Sequence, residues 1–208
     1  MSSKWYLATV RHGETDYNRE SRYAGTIDIP LNEAGRNDAC DASRRLQGMH
    51  FDVSVVSPLR RAIETAEILT KGRIEIIPCP YARERNYGVL QGLTSADVES
   101  ITPPIHFIKV GDDYHSLDPP QAETLEDLRK RTEALFQYIT DHFTGRNVLV
   151  VSHGVFLQQL HGLLRRQDWI EALGKYVGNL ELTRFHLERR KVVAEDCVQL
   201  VKREQIKF

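Results

Sequence analysis

Short apolar runs recur along this chain, each breaking off in polar residues and most followed by a stretch with helical spacing. Residues 5–10, 51–56, 74–77 and 147–151 have the length and composition of strands covered on both faces. Helices are expected over 32–46, over 58–69 with Pro58 in the first turn, and over 155–164. Thr124 and Asp127 have capping-box spacing, and Leu125, Leu128, Leu135, Ile139 and Phe143 then mark one helical face. Residues 180–187 with Val192-Val193 read as a closing hairpin. Strands alternating with helices predict an α/β fold: three layers, α/β/α, around a mostly parallel central sheet.

The remaining segment, 93–123, holds four prolines (Pro103, Pro104, Pro119, Pro120) and little periodicity, and is expected to be a short inserted lid. With 208 residues and 41% hydrophobic side chains, one domain over 1–208 carrying that lid can bury a full core. A net charge of -1 gives no electrostatic reason to expect nucleic acid or an anionic membrane as partner. No apolar run approaches the roughly 18–20 residues that span a bilayer. Met1-Ser2-Ser3-Lys4 leads directly into a strand without a signal-peptide core, so the expected location is cytoplasmic. Three scattered cysteines, Cys40, Cys79 and Cys197, indicate neither a disulfide framework nor a zinc site.

In parallel sheets, sites form beyond the carboxyl ends of the strands. Arg11-His12, Ser57 and Ser152-His153 each follow a strand, so three strands deliver polar groups to one edge. In Arg11-His12-Gly13-Glu14-Thr15 the guanidinium offers a fork to phosphate oxygens and the glycine allows close backbone approach. A neutral imidazole there can attack phosphorus. Arg61 lies near a helix N-terminus, which favours an anion. Glu84 supplies a carboxyl able to protonate a leaving alkoxide if it is held protonated. Such a neutral base with such an acid predicts a bell-shaped rate profile. No HExxH occurs, and His50, His106, His115, His142, His161 and His186 read as surface or helix-cap histidines. His106 and His115 stand out among them because they ride on the lid.

Taken together, RHGETDYN, PLNEAGR, SPLRRAIETA, RERNYGVLQG and SHG, in that order, resemble the histidine phosphatase superfamily in its phosphoglycerate-mutase-like branch. The resemblance implies that His12 is the nucleophile that becomes phosphohistidine and Glu84 the general acid. It further implies that Arg11, Arg61 and His153 hold the transferring oxygens. Asn18, Gly25, Tyr87 and Gly154 match substrate-contacting positions, and Glu123 a position that orders the pocket. No cofactor or metal is implied. The expected partner is a small phosphorylated substrate, with a homodimer left open.

Mutases of this family carry basic residues in the insertion to grip a substrate carboxylate. Here 93–123 has only Lys109 besides its histidines, against Asp97, Glu99, Asp112, Asp113, Asp118 and Glu123, and it is short by mutase standards. Both features favour hydrolysis of a phosphomonoester over 2,3-bisphosphoglycerate-dependent mutation. The RERNYG string resembles fructose-2,6-bisphosphatase-like members, which keeps a sugar bisphosphatase among the alternatives; its Arg83 and Arg85, flanking Glu84, either hold a second phosphate or carboxylate or make surface ion pairs. A non-catalytic phosphate-binding module and a phosphatase of basic phosphopeptides are the other readings. The basic tail from Lys202 to Phe208 is expected to be a solvated end.

Overall fold

The structure, a computed structural model, describes residues 4–201. The Met1-Ser2-Ser3 lead and the tail from Lys202 lie outside the described residues. Four strands run parallel: β1 (Lys4–Arg11), β2 (Val53–Val56), β3 (Ile76–Pro78) and, after the two strands of the 93–123 segment, β6 (Val148–Ser152). Then β7 (Glu181–Glu188) pairs antiparallel with β1, and β8 (Lys191–Gln199) antiparallel with β7. The order across the sheet is β3-β2-β6-β1-β7-β8.

Because side chains alternate across a strand, β1 feeds two cores. Trp5 and Leu7 enter one, against α5 (Leu125–Phe143) and α6 (Gly154–Arg165); Ala8 and Val10 enter the other, against α2 (Glu33–Arg45) and α3 (Arg60–Thr70). These layers are the expected α/β/α arrangement. The stripe Leu128, Leu135 and Ile139 on α5 is wholly buried, and each such side chain contributes roughly 1.5–3 kcal/mol. Helix ends follow local chemistry. Asn32 accepts the Gly35 N–H at 2.7 Å and Thr124 the Asp127 N–H at 3.0 Å. Pro58 falls before α3 rather than in its first turn, since Leu59 is the extended residue from which that helix starts. The strand expected at 74–77 forms two residues later, over β3.

The 93–123 segment has more structure than its pattern suggested. α4 (Ser95–Val98) opens it, and β4 (Phe107–Val110) pairs with β5 (Asp113–Ser116) in a two-stranded sheet of its own. A short helix, α1 (Asp16–Arg19), completes the set, started by a Thr15–Asn18 capping box. The glycine of PLNEAGR has a packing reason: a Cβ on Gly35 would lie 2.1 Å from the Glu14 carbonyl oxygen, so α2 packs backbone-to-backbone on the turn after β1. Among the described residues, no helix is long and apolar enough to cross a membrane.

Candidate active site

All four parallel strands end at one edge, and their following residues meet there. His12 follows β1, Ser57 follows β2, Glu84 follows β3 after the Pro80–Ala82 turn, and His153 follows β6 as the residue before α6. Arg61 rises from the first turn of α3. A cleft of about 240 Å³ opens at this edge, lined by Arg11, His12, Asn18, Gly25, Arg61 and Glu84, among others.

His12 is held in one tautomer. Its Nδ1 donates to the Gly13 carbonyl at 2.7 Å, while Nε2 accepts from Arg61 Nε at a loose 3.3 Å, so the ring's lone pair is on Nε2. Its backbone is tied by Asn179, whose Nδ2 donates to the His12 carbonyl at 2.8 Å, and by the His12 N–H to Ser152 at 3.0 Å. Burial, then the charges of Arg61 and Arg11, hold the His12 imidazole well below its ordinary pKa. His153 lies behind it, ring centroids 5.1 Å apart, and is likewise held low by burial and then Arg61. Its Nε2 pairs with Ser57 Oγ at 2.7 Å, while Nδ1 is buried without a partner; His153 is fully buried and is not among the residues lining the cleft.

The two arginines differ. Arg61 is 1% exposed and spends its terminal nitrogens on the carbonyls of Gly25 (2.7 Å) and Ile27 (2.8 Å), and burial lowers its pKa to about 10. Gly25 is thereby fixed at the rim with φ +50, where a Cβ would strike Gln91. Arg11 donates from one terminal nitrogen to Tyr176 and Val177, both at 2.8 Å, and its Nε is buried with no partner. Glu84 accepts three backbone N–H bonds, from Arg85 (2.8 Å), Phe156 (3.0 Å) and Val155 (3.2 Å), which seat the carboxylate on the first turn of α6. Gly154 precedes those donors, and a Cβ there would press within 3.4 Å of the Arg11 guanidinium. Asn18 and Tyr87 also line the cleft; burial raises the Tyr87 phenol.

A family model described as histidine phosphatase superfamily (branch 1) matches residues 7–199. The chain belongs to that superfamily. A 2,3-bisphosphoglycerate-dependent phosphoglycerate mutase of Cytophaga hutchinsonii is 36% identical over 159 residues, covering 74% of each chain. A Bacillus subtilis protein named uncharacterized phosphatase PhoE is 32% identical over 155 residues, again covering 74% of each. Among solved structures, Bacillus stearothermophilus YhfR superposes with a TM-score of 0.78 at 27% identity, covering 90% of this chain and 93% of that one.

Several residues in and around this site behave differently from their sequence reading. Arg85 makes no surface ion pair: it lines the cleft but is 1% exposed, and its guanidinium donates to the carbonyls of Glu123 (2.8 Å), Ser116 (2.6 Å) and Leu117 (3.2 Å). Arg83 is exposed; its carbonyl accepts from Arg131 and its backbone N–H donates to the Pro80 carbonyl. His161 is buried rather than superficial, its Nε2 2.7 Å from Thr9 Oγ1, and burial lowers its pKa to about 3. His115 lines the cleft, whereas His106 is exposed and paired with Asp118 at 2.8 Å. Arg131, not singled out by any motif, forks onto Glu123 (2.7 and 2.6 Å) and donates to the carbonyls of Tyr81, Arg83 and Glu84. Glu123 therefore orders the loop that carries Glu84. Among the described residues no group of three or more His, Cys, Asp or Glu side chains is placed to hold a metal.

Proposed function

We propose that this protein is a phosphatase of a small phosphorylated metabolite that works through phosphohistidine on His12. The observation that carries the reading is the fixed His12 tautomer, with Nδ1–H on the Gly13 carbonyl and a lone pair on Nε2 beside two arginines. Phosphoryl transfer asks the protein for in-line positioning and positive charge on the equatorial oxygens. Arg11 lines the cleft with its Nε unpartnered, and Arg61 adds charge at the attacking nitrogen, to which its Nε donates. Nε2 attacks phosphorus, the bond to the leaving oxygen breaks, and that oxygen takes a proton from the carboxylic acid form of Glu84, which is left as the carboxylate. Glu84 then removes a proton from water, which attacks the phosphohistidine and releases inorganic phosphate.

Hydrolysis is favoured over mutation by what the 93–123 segment adds to the cleft lining. β5 contributes Asp113, Tyr114, His115 and Ser116 to it, and Lys109 is not among the residues lining the cleft. The likeness to a phosphoglycerate mutase supports the second reading, a primer-dependent mutase. Phosphate release from an aryl phosphate and from 3-phosphoglycerate, with and without 2,3-bisphosphoglycerate, separates the two. We expect primer-independent release that His12→Ala lowers by 10³-fold or more, roughly the loss of a whole nucleophile. Primer-dependent formation of 2-phosphoglycerate with negligible hydrolysis would overturn the proposal. Because His12 is held neutral, the acid limb of kcat/KM should lie well below pH 6.5.

A further inference from the structure

The loop that delivers Glu84 to the cleft has no strand ladder to hold it. After β3 the chain makes the Pro80–Ala82 turn and then runs extended at Arg83, outside the sheet. Side chains hold its carbonyls instead. Ala82 accepts from Ser152 Oγ, at the end of β6, at 2.7 Å. Tyr81 (2.8 Å), Arg83 (2.6 Å) and Glu84 (3.2 Å) all accept from Arg131, which stands on α5. With its two bonds onto Glu123, all five N–H donors of the Arg131 guanidinium are engaged.

Arg131 also touches the second support of Glu84. Its guanidinium carbon lies 5.2 Å from the ring centroid of Phe156, whose N–H is one of the three that seat the carboxylate. The seating itself marks where a proton can sit. Oε1 accepts from the N–H groups of Arg85 (2.8 Å) and Phe156 (3.0 Å), which uses both of its lone pairs. Oε2 accepts one longer bond, from Val155 at 3.2 Å, and keeps a lone pair for the proton. Delivery from Oε2 needs the leaving oxygen within about 2.6–3.2 Å, a range that a drifting loop would leave. Arg131 is not among the residues lining the cleft, so it acts on the reaction through what it holds.

We infer that Arg131 is a positioning residue that fixes where Glu84 delivers its proton, by clamping the 81–84 backbone against the turn of α6 that seats the carboxyl. This inference rests on the phosphatase reading above and adds what keeps its acid in place. When phosphohistidine forms, the His12 Nε2 lone pair makes the N–P bond. The P–O electron pair passes to the leaving oxygen, which gains the proton from Glu84 Oε2. A strongly basic leaving oxygen depends on that proton, whereas a weakly basic one departs without it.

The test compares kcat/KM for phenyl phosphate and p-nitrophenyl phosphate, which have similar shapes but leaving oxygens of very different basicity. The proteins are the wild type, Arg131→Met, Arg131→Lys, Glu84→Gln and the double variant Glu84→Gln/Arg131→Met, each with its thermal midpoint. Glu84→Gln and Arg131→Met should each lower the phenyl to p-nitrophenyl ratio at least about tenfold. Arg131→Lys, with fewer donors and no planar fork, should fall between Arg131→Met and the wild type. In the Glu84→Gln background, Arg131→Met should move the ratio by less than about twofold further, because no proton remains to be misplaced. Equal losses on both esters in Arg131→Met would show a general support of the fold and overturn the inference. So would a full further loss of ratio in the Glu84→Gln background. If Arg131→Met gives no folded protein, Arg131→Lys decides, and a ratio within about twofold of the wild type overturns the inference. A ratio that falls in Glu84→Gln but in neither Arg131 variant defeats this inference alone. No wild-type turnover of either ester, or a ratio unmoved in Glu84→Gln, defeats the phosphatase reading or its acid, and this inference with it.

Discussion

The two halves of the cleft are built by different means. The half around His12 hangs on the ends of four parallel strands, each locked in register by its neighbours, and its charged groups are deeply buried. The half around His115 hangs on a hairpin of two four-residue strands that pairs with nothing else in the central sheet. A rigid half is where the reaction common to a superfamily belongs, since in-line transfer tolerates little displacement. A half on a small separate element can change its side chains without disturbing that geometry. One arginine joins them: Arg85 follows Glu84 directly and is bonded to the carbonyls of the β5 end and Glu123.

The largest effect should come from breaking the rigid half. Arg61→Met keeps the volume of the stem but removes the charge beside His12 and releases the carbonyls of Gly25 and Ile27. Loss of one preorganised donor to a developing charge costs roughly 10²–10³ in turnover. We expect kcat/KM for an aryl phosphate to fall by at least that much. A loss below about tenfold would show that Arg11 and His153 carry the phosphate without Arg61.

The same division governs what could be read from the chain. Residues 5–10 and 147–151 declare themselves because apolar runs bounded by polar residues have few other uses, and His12 and His153 follow from where those runs stop. Arg85 was legible as a cation near Glu84 but not as a buried one, because nothing local distinguishes an arginine facing carbonyls from one facing phosphate. His161 has the same difficulty: its burial depends on Thr9 and Phe185, both distant in sequence. The β4–β5 hairpin escaped because its strands are half-exposed and only four residues long, too short for alternation to show. Arg131 belongs to no block, and its partner Glu123 was the sole hint that a cation should face that loop.

Separating the halves should have an intermediate effect. Arg85→Met leaves three carbonyls without their charged donor, at a cost of about 3 kcal/mol in unfolding free energy. The first new sites of limited proteolysis should fall within 93–123, before any in the central sheet. If the variant unfolds as a whole with no earlier cleavage there, the two halves form one cooperative unit and the contrast between them is only geometric.

Acid provides the mildest probe, and it acts on the rigid half. His161 sits on α6 beneath β1, with its imidazole 1% exposed and its Nε2 on Thr9 Oγ1. Burial, followed by the Arg165 charge, lowers its pKa in the folded protein to about 3 from an unfolded value of 6.5. The unfolded chain therefore takes up the proton first, so stability is complete above about pH 6.5 and drains away as the pH falls toward 3. Each unit in that window costs about 1.4 kcal/mol for one such group, or about 2 kcal/mol between pH 6.5 and 5. His12 and His153 act in the same direction, so the informative quantity is a difference between variants. His161→Gln keeps an amide within reach of Thr9 but cannot titrate. Denaturant midpoints at pH 7 and pH 5 should show the wild type losing about 2 kcal/mol more than this variant. Parallel losses would mean that Thr9 and its surroundings open before His161 takes a proton, and that the sheet edge under the active site is less rigid than its burial implies.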